Sequence, residues 1–355
     1  DVKVFPPAGS SLAYQTSDVD IAFPIQRAVD VPVVQLRDVS GDGKLDLLAT
    51  EGRINGFYES QERERWQGFQ PFQGFPYDYH ETGQSWVDIT GNGLSDYVQL
   101  RDQSLRYYPS LGDRGFGPAI VQPLKNSLPV QLEKTQQNWV SFTRFAGGET
   151  PDLVQITQHQ ITYWPSLGYG SFGAAVPMGN CPNFGENFDS NRLFMADLDG
   201  SGTQDLIYLE AKKAILFLNQ SGNTFGDPIS IELPEPFDRM DLTQFADAFG
   251  SGTSSLIYSE PHEMPDPKHW VYDFCQQIKP YLLGEIHNNL GATTKIAYRS
   301  SVDYYLADKA AGLPWITPLP FPVQVVAEVT HTDAISQSTY TSQYAYHHGY
   351  YDGIE

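Results

Sequence analysis

The sequence is poor in positive charge. Lysine and arginine together number 22 against 43 aspartate and glutamate residues, which gives a formal net charge of −21. No run of basic residues occurs anywhere along it. Surfaces that bind nucleic acid or anionic membranes require clustered lysine and arginine, so this charge balance argues against both kinds of partner.

Cysteine and long apolar runs are also scarce. Only Cys181 and Cys275 are present, far apart and outside any C-x-x-C pair. A disulfide between them cannot be predicted from the sequence, and two buried free thiols are the favoured alternative. No stretch of about 18 apolar residues exists, so the sequence predicts no membrane-spanning helix.

Catalytic motifs are missing. The sequence contains no HExxH, no GxSxG and no phosphate-binding loop that ends in GK[ST]. His347 and His348 are adjacent, and neighbouring side chains in a strand point to opposite faces, so these two cannot share one metal ion. The sequence therefore predicts a protein that is not an enzyme.

The residues that are abundant favour β-structure. Phe, Tyr and Trp make up 13% of the chain, and 31 glycines and 25 prolines mark many turns. Helical periodicity is nearly absent. We therefore expect an all-β protein.

One short stretch dominates the pattern, the segment Asp38-Val-Ser-Gly-Asp-Gly-Lys-Leu-Asp46. Oxygen side chains occupy positions 1, 3, 5 and 9, and position 7 offers a backbone carbonyl, which is the ligand spacing of a calcium loop. An EF-hand would carry Glu at position 12, where this chain has Ala49. Residues 33–36 before the loop and 47–48 after it have strand character, so we expect the loop at the tip of a β-hairpin.

The loop recurs, with first positions at residues 38, 88, 144, 197 and 247. We call these the Asp38, Asp88, Arg144, Asp197 and Asp247 loops. A Phe-Gly pair follows three of them at an offset of 28 residues, at Phe116, Phe172 and Phe225. A period near 50 residues that contains several short strands is typical of propeller blades.

The loops differ in the ligands they offer. The Arg144 loop places a cation at position 1 and is expected to bind no metal, and the Asp247 loop keeps a single carboxylate. The alternative for every loop is a turn whose Asp and Ser/Thr oxygens accept backbone N–H bonds. The candidate ligands of a structural calcium ion are Asp38, Ser40, Asp42, the Lys44 carbonyl and Asp46, then Asp197, Asp199, Ser201, the Thr203 carbonyl and Asp205, with a weaker set at Asp88, Thr90, Asn92 and Asp96.

The loop and its Phe-Gly turn resemble the FG-GAP (integrin α-type) propeller repeat over roughly residues 30 to 260. This resemblance implies a propeller in residues 1–278, with six blades of which five loops are visible. Residues 1 to 30 are expected to supply a strand that closes the ring against the last blade. Residues 258 to 280 are expected to form the link that leaves the propeller.

The tail, residues 279–355, changes character. Alternation in residues 293–298 and 323–329 predicts further strands. Together with Tyr350-Tyr-Asp-Gly353, this region resembles the middle region of the B component of bacterial insecticidal toxin complexes (Tc toxins), which is related to the Salmonella SpvB protein. In that family the region begins a large β-sheet shell with Rhs/YD-type repeats, so we expect the chain to be a fragment of a longer protein.

The resemblance implies a function. In Tc toxins the B and C components enclose a cytotoxic region, and the propeller docks on the channel of the A component and gates release of the toxin. The chain is then expected to be secreted as part of that complex, and its degenerate loops, Arg144 and Asp247, are hypothesised to be the weak point of the gate. The alternative is an adhesion or glycan-binding propeller that calcium makes rigid. The divergence between blades favours a gate or a single protein partner.

Overall fold

The chain is nearly all-β, with 45% of residues in strands and 6% in helices, which confirms the predicted fold class. The computed structural model describes residues 2–5, 34–50, 55–61, 65–79, 83–101, 104–124, 129, 132–186, 188–233, 236–237, 242–260, 268–316, 319 and 321–350. These residues form two compact units. One holds residues 2–5, 196–201 and everything from residue 242 onward, and the other holds the remainder.

The first strand, β1 (Val2–Phe5), belongs with the last blade and is described there. Two four-stranded antiparallel sheets follow it, and we name each blade after its loop. The Asp38 blade consists of β2 (Val34–Arg37), β3 (Asp46–Ala49), β4 (Gly56–Tyr58) and β7 (Gln70–Pro71), with a small ribbon of β5 (Ser60–Gln61) and β6 (Arg65–Trp66). The Asp88 blade consists of β8 (Gln84–Val87), β9 (Asp96–Arg101), β10 (Ser104–Tyr108) and β11 (Ile120–Pro123), with a 3₁₀ turn at Gly112–Arg114.

The next two blades repeat this plan. The Arg144 blade consists of β12 (Glu133–Lys134), β13 (Asn138–Thr143), β14 (Asp152–Thr157), β15 (Ile161–Trp164) and β16 (Val176–Pro177). The Asp197 blade consists of β17 (Leu193–Ala196), β18 (Asp205–Leu209), β19 (Lys213–Phe217) and β22 (Ile229–Glu232), with a ribbon of β20 (Asn219–Gln220) and β21 (Thr224–Phe225) and a 3₁₀ turn at Ser190–Arg192.

Every repeated loop joins the first two long strands of its blade, as the hairpin prediction requires. The strand register brings position 9 of the loop opposite the residue before position 1, as in the pairs Arg37–Asp46, Val87–Asp96 and Thr143–Asp152. Side chains alternate between the two faces of a strand, so the second and fourth residues of β10 and of β19 are buried. The fifth residue of each strand, Tyr108 and Phe217, is buried as well.

Aromatic side chains build much of the core between these blades. One cluster of buried side chains contains Tyr79, Tyr97, Tyr108 and Phe116. A larger one is centred on Phe145, Leu206 and Phe225 and includes residues of β14, β15, β18, β19 and β21. The aromatic content of the sequence is thus used mainly for packing.

The last blade contains β23 (Leu242–Ala246), β24 (Ser255–Glu260) and β25 (Lys268–Tyr272). β1 pairs in parallel with β25, from Val2 opposite His269 to Phe5 opposite Tyr272. The prediction that the N-terminal segment adds a strand to the last blade is therefore confirmed, while a sixth blade within residues 6–33 would lie outside the described residues.

The expected link at residues 258 to 280 is wrong in its first part. Residues 268–272 form β25, which pairs antiparallel with β24 and buries the apolar side chains of Trp270 and Val271. The connecting segment instead begins at Asp273. The prolines on which the expectation rested, at 261, 265 and 267, lie outside the described residues.

A separate antiparallel sheet follows, with strand order β26–β27–β28–β29. Its strands are β26 (Glu285–His287), β27 (Ala292–Ser300), β28 (Gln324–Asp333) and β29 (Ser338–Gln343). The predicted strands at 293–298 and 323–329 are confirmed.

The helix α1 (Ser301–Ala310), which connects β27 to β28, is not among the elements predicted from the sequence. It begins because the Ser300 hydroxyl accepts the N–H of Val302 at 3.2 Å, and it ends before Gly312, which adopts a φ of 80°. Among the described residues no helix is long and apolar enough to cross a membrane.

Candidate functional site: the aspartate–glycine loops

In the four loops that carry an aspartate at position 9, this aspartate is the most buried of the polar residues. Asp46, Asp96 and Asp205 have 0% of their surface exposed, and Asp152 has 3%. A carboxylate removed from water must be paired or hydrogen-bonded to be tolerated. These four aspartates therefore need donors within their blades.

Backbone N–H groups donate to both oxygens of each carboxylate. In the Asp38 loop, Oδ2 of Asp46 accepts the N–H groups of Val39 and Ser40 at 3.1 Å, and Oδ1 accepts the N–H of Ser60 at 2.9 Å. In the Arg144 loop, Oδ2 of Asp152 accepts the N–H of Ala146 and Oδ1 that of Ser166, both at 2.8 Å. Each carboxylate thus ties the start of its loop to a later turn, which follows β4 in the Asp38 blade and β15 in the Arg144 blade.

Four donors reach the Asp96 carboxylate of the Asp88 loop. Oδ2 of Asp96 accepts the N–H of Ile89, the N–H of Thr90 and the hydroxyl of Thr90, each at 3.0 Å, and Oδ1 accepts the N–H of Ser110 at 2.7 Å. Burial raises the pKa of Asp96, although the hydrogen bonds from Ser110 and Thr90 oppose that rise. The hydrogen bonds thus offset part of the cost of burying the carboxylate.

Sequence reasoning missed this carboxylate tether, although a signal for it exists. The turn donor always lies 14 residues after position 9, at Ser60, Ser110, Ser166 and Asn219. All four donors are small polar residues. A repeated Asp with Ser or Asn 14 residues later would have indicated the second end of the tether.

The aspartate at position 1 holds the loop from the other side. Asp38 accepts the N–H of Gly41 at 2.7 Å and of Gly43 at 2.9 Å, and Asp88 accepts those of Gly91 and Gly93 at 2.7 and 2.8 Å. These four glycines have φ between 78° and 82°, a region that residues with a Cβ rarely adopt. These contacts are those expected of a turn whose aspartate oxygens accept backbone N–H bonds, the alternative to a calcium loop.

Two further candidates of the Asp38 loop, Asp42 and Lys44, contact each other, whereas the buried hydroxyl of Ser40 has no hydrogen-bond partner within the described residues. Asp42 accepts both the backbone N–H and the ammonium group of Lys44, at 2.9 and 3.0 Å. Partial burial raises the pKa of Asp42, but the contacts with Lys44 prevail and lower it. A cation in this loop would have to displace Lys44 from Asp42.

In the Asp88 loop the side-chain oxygens of Thr90 and Asn92 also make local bonds. The Thr90 hydroxyl donates to Asp96, and the Asn92 carbonyl oxygen accepts the N–H of Leu94 at 2.9 Å. The oxygens of this weaker set are therefore engaged within the loop.

The Asp197 loop gathers its carboxylates most closely. Ligand oxygens of Asp197, Asp199 and Asp205 all lie within 4.8 Å of one another. Asp197 and Asp199 both accept the N–H of Ser201 at 3.0 Å, and Thr203 donates its hydroxyl to the carbonyl of Asn219. Three like charges at this separation repel one another, and a divalent cation would relieve that repulsion.

The two degenerate loops differ from each other. The Arg144 loop keeps the Asp152 tether and uses the backbone carbonyl of Arg144 to accept the N–H of Gln204 at 3.2 Å. The Asp247 loop keeps the position-1 contacts, since Asp247 accepts the N–H of Ser251 at 2.9 Å and of Gly252 at 2.7 Å. It has lost the position-9 carboxylate, which Ser255 replaces.

The glycine of each Phe-Gly pair at 116–117 and 172–173 closes the turn that follows β10 or β15. The N–H of Gly117 donates to the Pro109 carbonyl, and the equivalent bond joins Gly173 to Pro165, both at 2.8 Å. Phe225 is 2% exposed in the core. The pair therefore closes a turn and anchors it in the interior, which explains its fixed distance from the loop.

The two cysteines are free thiols and half-buried. The Cys181 thiol faces the carbonyl of Met178, and the Cys275 thiol faces that of Leu198, each at 3.2 Å. Neither contact gives these thiols a chemical role.

This chain is similar to known proteins in both sequence and structure. The model of the family described as the insecticide toxin TcdB middle/N-terminal region matches residues 219–355. A chain in a structure of the Photorhabdus luminescens Tc holotoxin pore aligns with 94% of this chain at 32% identity and a TM-score of 0.84. No curated protein sequence matches.

Crystal structures of TcdB2–TccC3 are similar too. One aligns with 86% of this chain at 26% identity and a TM-score of 0.55. A second, of TcdB2-TccC3-TEV, aligns with 96% of this chain at 28% identity and a TM-score of 0.58. This chain covers 15% of the holotoxin chain and 18% of each of the two others, so it spans less than a fifth of these relatives.

The fold and its tethered loops define an all-β protein of repeated propeller-type blades followed by a separate β-sheet. Within that class the chain is a Tc toxin B-component-like protein, as the family match and the two sets of structures agree.

Proposed function

We propose that this chain is a non-enzymatic assembly and gating module of a Tc insecticidal toxin complex that acts outside the bacterial cell. Its propeller docks on the channel of the A component, and it gates release of the toxin enclosed by the B and C components. The observation that carries the proposal is the match over 94% of this chain to a chain of a Tc holotoxin pore.

The loops support a role in architecture rather than in catalysis. In the Asp38 and Asp88 loops the carboxylates at positions 1 and 9 accept backbone N–H groups of their own blade. A general acid or base needs a carboxylate that can reach a substrate proton. These aspartates instead set the blade geometry, as expected of a module that binds other proteins.

Binding to a Tc A-component channel tests the proposal. Immobilised channel should bind the chain saturably in interferometry, and the complex should co-elute in size exclusion. An unrelated globular protein of similar net charge is the control for adsorption driven by charge. Absence of binding by a folded chain, together with strong specific binding on a glycan array, would replace the docking role with the adhesion alternative.

We further propose that calcium, if the chain binds it, occupies the Asp197 loop and has a structural role. The donor set fits a hard cation, since three carboxylates converge there. In the Asp38 loop, by contrast, Lys44 already neutralises Asp42.

Calcium is therefore expected to raise the melting temperature, because a ligand that binds only the folded state adds about 2.7 kcal/mol at 100 times its Kd. Asp199→Asn should abolish the shift while keeping an oxygen that can accept the Tyr281 hydroxyl, now 2.7 Å away. Asp42→Asn is the matched control and should retain it. A shift that survives Asp199→Asn, or no shift at millimolar calcium, would refute this site.

A further inference from the structure

The last blade has lost the tether that secures the other four. At position 9 of the Asp247 loop stands Ser255, which is 1% exposed and whose hydroxyl makes no hydrogen bond within the described residues. The carboxylates of Asp46, Asp96, Asp152 and Asp205 at the same position each accept the N–H of a turn 14 residues later. Within the described residues, the Asp247 hairpin therefore lacks the carboxylate bond that ties the other hairpins to their own blades.

The tip of this hairpin is held from outside the blade instead. The hydroxyl of Ser300, at the end of β27, donates to the Gly250 carbonyl, and the side-chain amide of Gln324, at the start of β28, donates to the Ser251 carbonyl at 2.9 Å. Both donors come from the corner where β27, α1 and β28 meet. We call this the β27–α1 corner, comprising residues 300–303 and 324.

Packing at Gly250 reinforces the contact. A Cβ at this position would lie 2.6 to 2.9 Å from all three side-chain carbons of Val302, in the first turn of α1. Only a glycine permits this approach, and its φ of 66° also favours glycine. Whereas residues 41–43 and 91–93 at the equivalent tips are exposed, Ser251 is 3% exposed, so the corner covers this tip.

The contact is not packed like a closed core. A cavity of about 340 Å³ lies beside it, lined among others by Phe249, Ser251, Arg299, Ser300 and Gln324. The pocket is partly open to solvent, so it leaves room for the corner and the tip to rearrange.

We infer that the Asp247 loop and the β27–α1 corner form a coupling device: the last blade is locked by the sheet that follows it rather than by its own carboxylate. Opening of β23 and β24 then requires the corner to release the loop tip, and movement of the corner loosens the blade. The consequence for gating rests on the proposed function, because a partner that shifts either element would then shift both. The coupling itself is a property of this chain alone.

Hydrogen exchange of the full chain, followed by mass spectrometry, tests the coupling. Gln324→Ala removes a donor that lies outside the blade, so we expect amides of β23 and β24 to exchange about fivefold faster, the effect of one lost hydrogen bond. Gln343→Ala is the matched control, because Gln343 lies on the same sheet and its side-chain amide donates to Glu328 at 3.0 Å rather than to the blade. Strands β8 and β9, whose blade keeps the Asp96 tether, should be unaffected and serve as an internal reference.

The reciprocal variant is Gly250→Ala, which acts from the blade side. Its Cβ should push against Val302 and accelerate exchange in α1 and β27 by about tenfold or more, as overpacking does. Gly93→Ala is the control, since Gly93 has a similar φ of 82° with nothing within 4 Å of its Cβ position. If Gly250→Ala does not fold, Gln324→Ala adds no volume and still decides the question.

Unchanged exchange of β23 and β24 in Gln324→Ala would overturn the coupling and leave the docking proposal standing. Equal acceleration in Gln324→Ala and Gln343→Ala would overturn it too, since the effect would then be a general loosening of the sheet. Failure to bind the A component would remove the docking role and leave the coupling intact.

Discussion

Asp96→Ala is expected to lower the free energy of unfolding by about 3 to 5 kcal/mol, because removing one partner leaves buried donors unsatisfied at about 1 to 3 kcal/mol each. The donors in question are the N–H groups of Ile89, Thr90 and Ser110. Urea denaturation followed by circular dichroism measures the change as a shift in the transition midpoint.

Asp38→Ala is the matched control for the tether. Asp38 occupies position 1, and its contacts with Gly41 and Gly43 lie in exposed surroundings. Its loss should resemble that of a capping aspartate, about 1 kcal/mol. If the two substitutions cost the same, the buried tether is not what holds the blade together.

Phe225→Ala is the second large effect, with an expected loss of about 3 to 5 kcal/mol, because truncating a buried phenylalanine forfeits its transfer free energy and leaves a cavity. Phe225 is 2% exposed, and its ring centroid lies 6.0 Å from that of Phe145. Its backbone also joins Gly179 and Asn180, so the ring fixes a turn as well as the core. The midpoint of thermal or urea unfolding reports the loss.

Tyr169→Ala provides the comparison for Phe225. Tyr169 is 68% exposed, and surface substitutions of this kind usually change stability by less than about 0.5 kcal/mol. Phe225→Leu should lie between the two. A Phe225→Ala protein as stable as the Tyr169→Ala protein would show that the Phe-Gly pair acts through its backbone alone.

Much of the fold was accessible from spacing. The period near 50 residues predicted the five loops, their hairpins and the blades that carry them, because hairpin geometry is local and depends on glycines at fixed positions. The strands β27 and β28 followed from alternation of apolar and polar residues.

The features that spacing missed depend on contacts between distant segments. The contact of Ser110 with Asp96 can be recognised only by comparing the repeats with one another. Nothing in the residues around Ser255 indicates that Ser300 and Gln324 will hold its hairpin. The helix α1 was missed because it is short and owes its start to a single cap at Ser300. Such contacts are set by tertiary packing.

The candidate calcium sites illustrate a further limit. The Asp38 and Asp197 loops each contain three aspartates, so from the sequence alone the two loops are nearly equal candidates for a calcium site. In the structure Asp42 pairs with Lys44, whereas Asp199 lies close to two other carboxylates. The distinction depends on where a neighbouring lysine points, which spacing does not specify.

Competition for the channel tests the docking claim most directly. A Tc A-component channel would be saturated with this chain and then offered an intact, labelled complex of the TcdB2–TccC3 type. Because both should use the same propeller surface, the account predicts that bound complex falls as the concentration of the chain rises. Full binding of the complex to channels already saturated with the chain would contradict it.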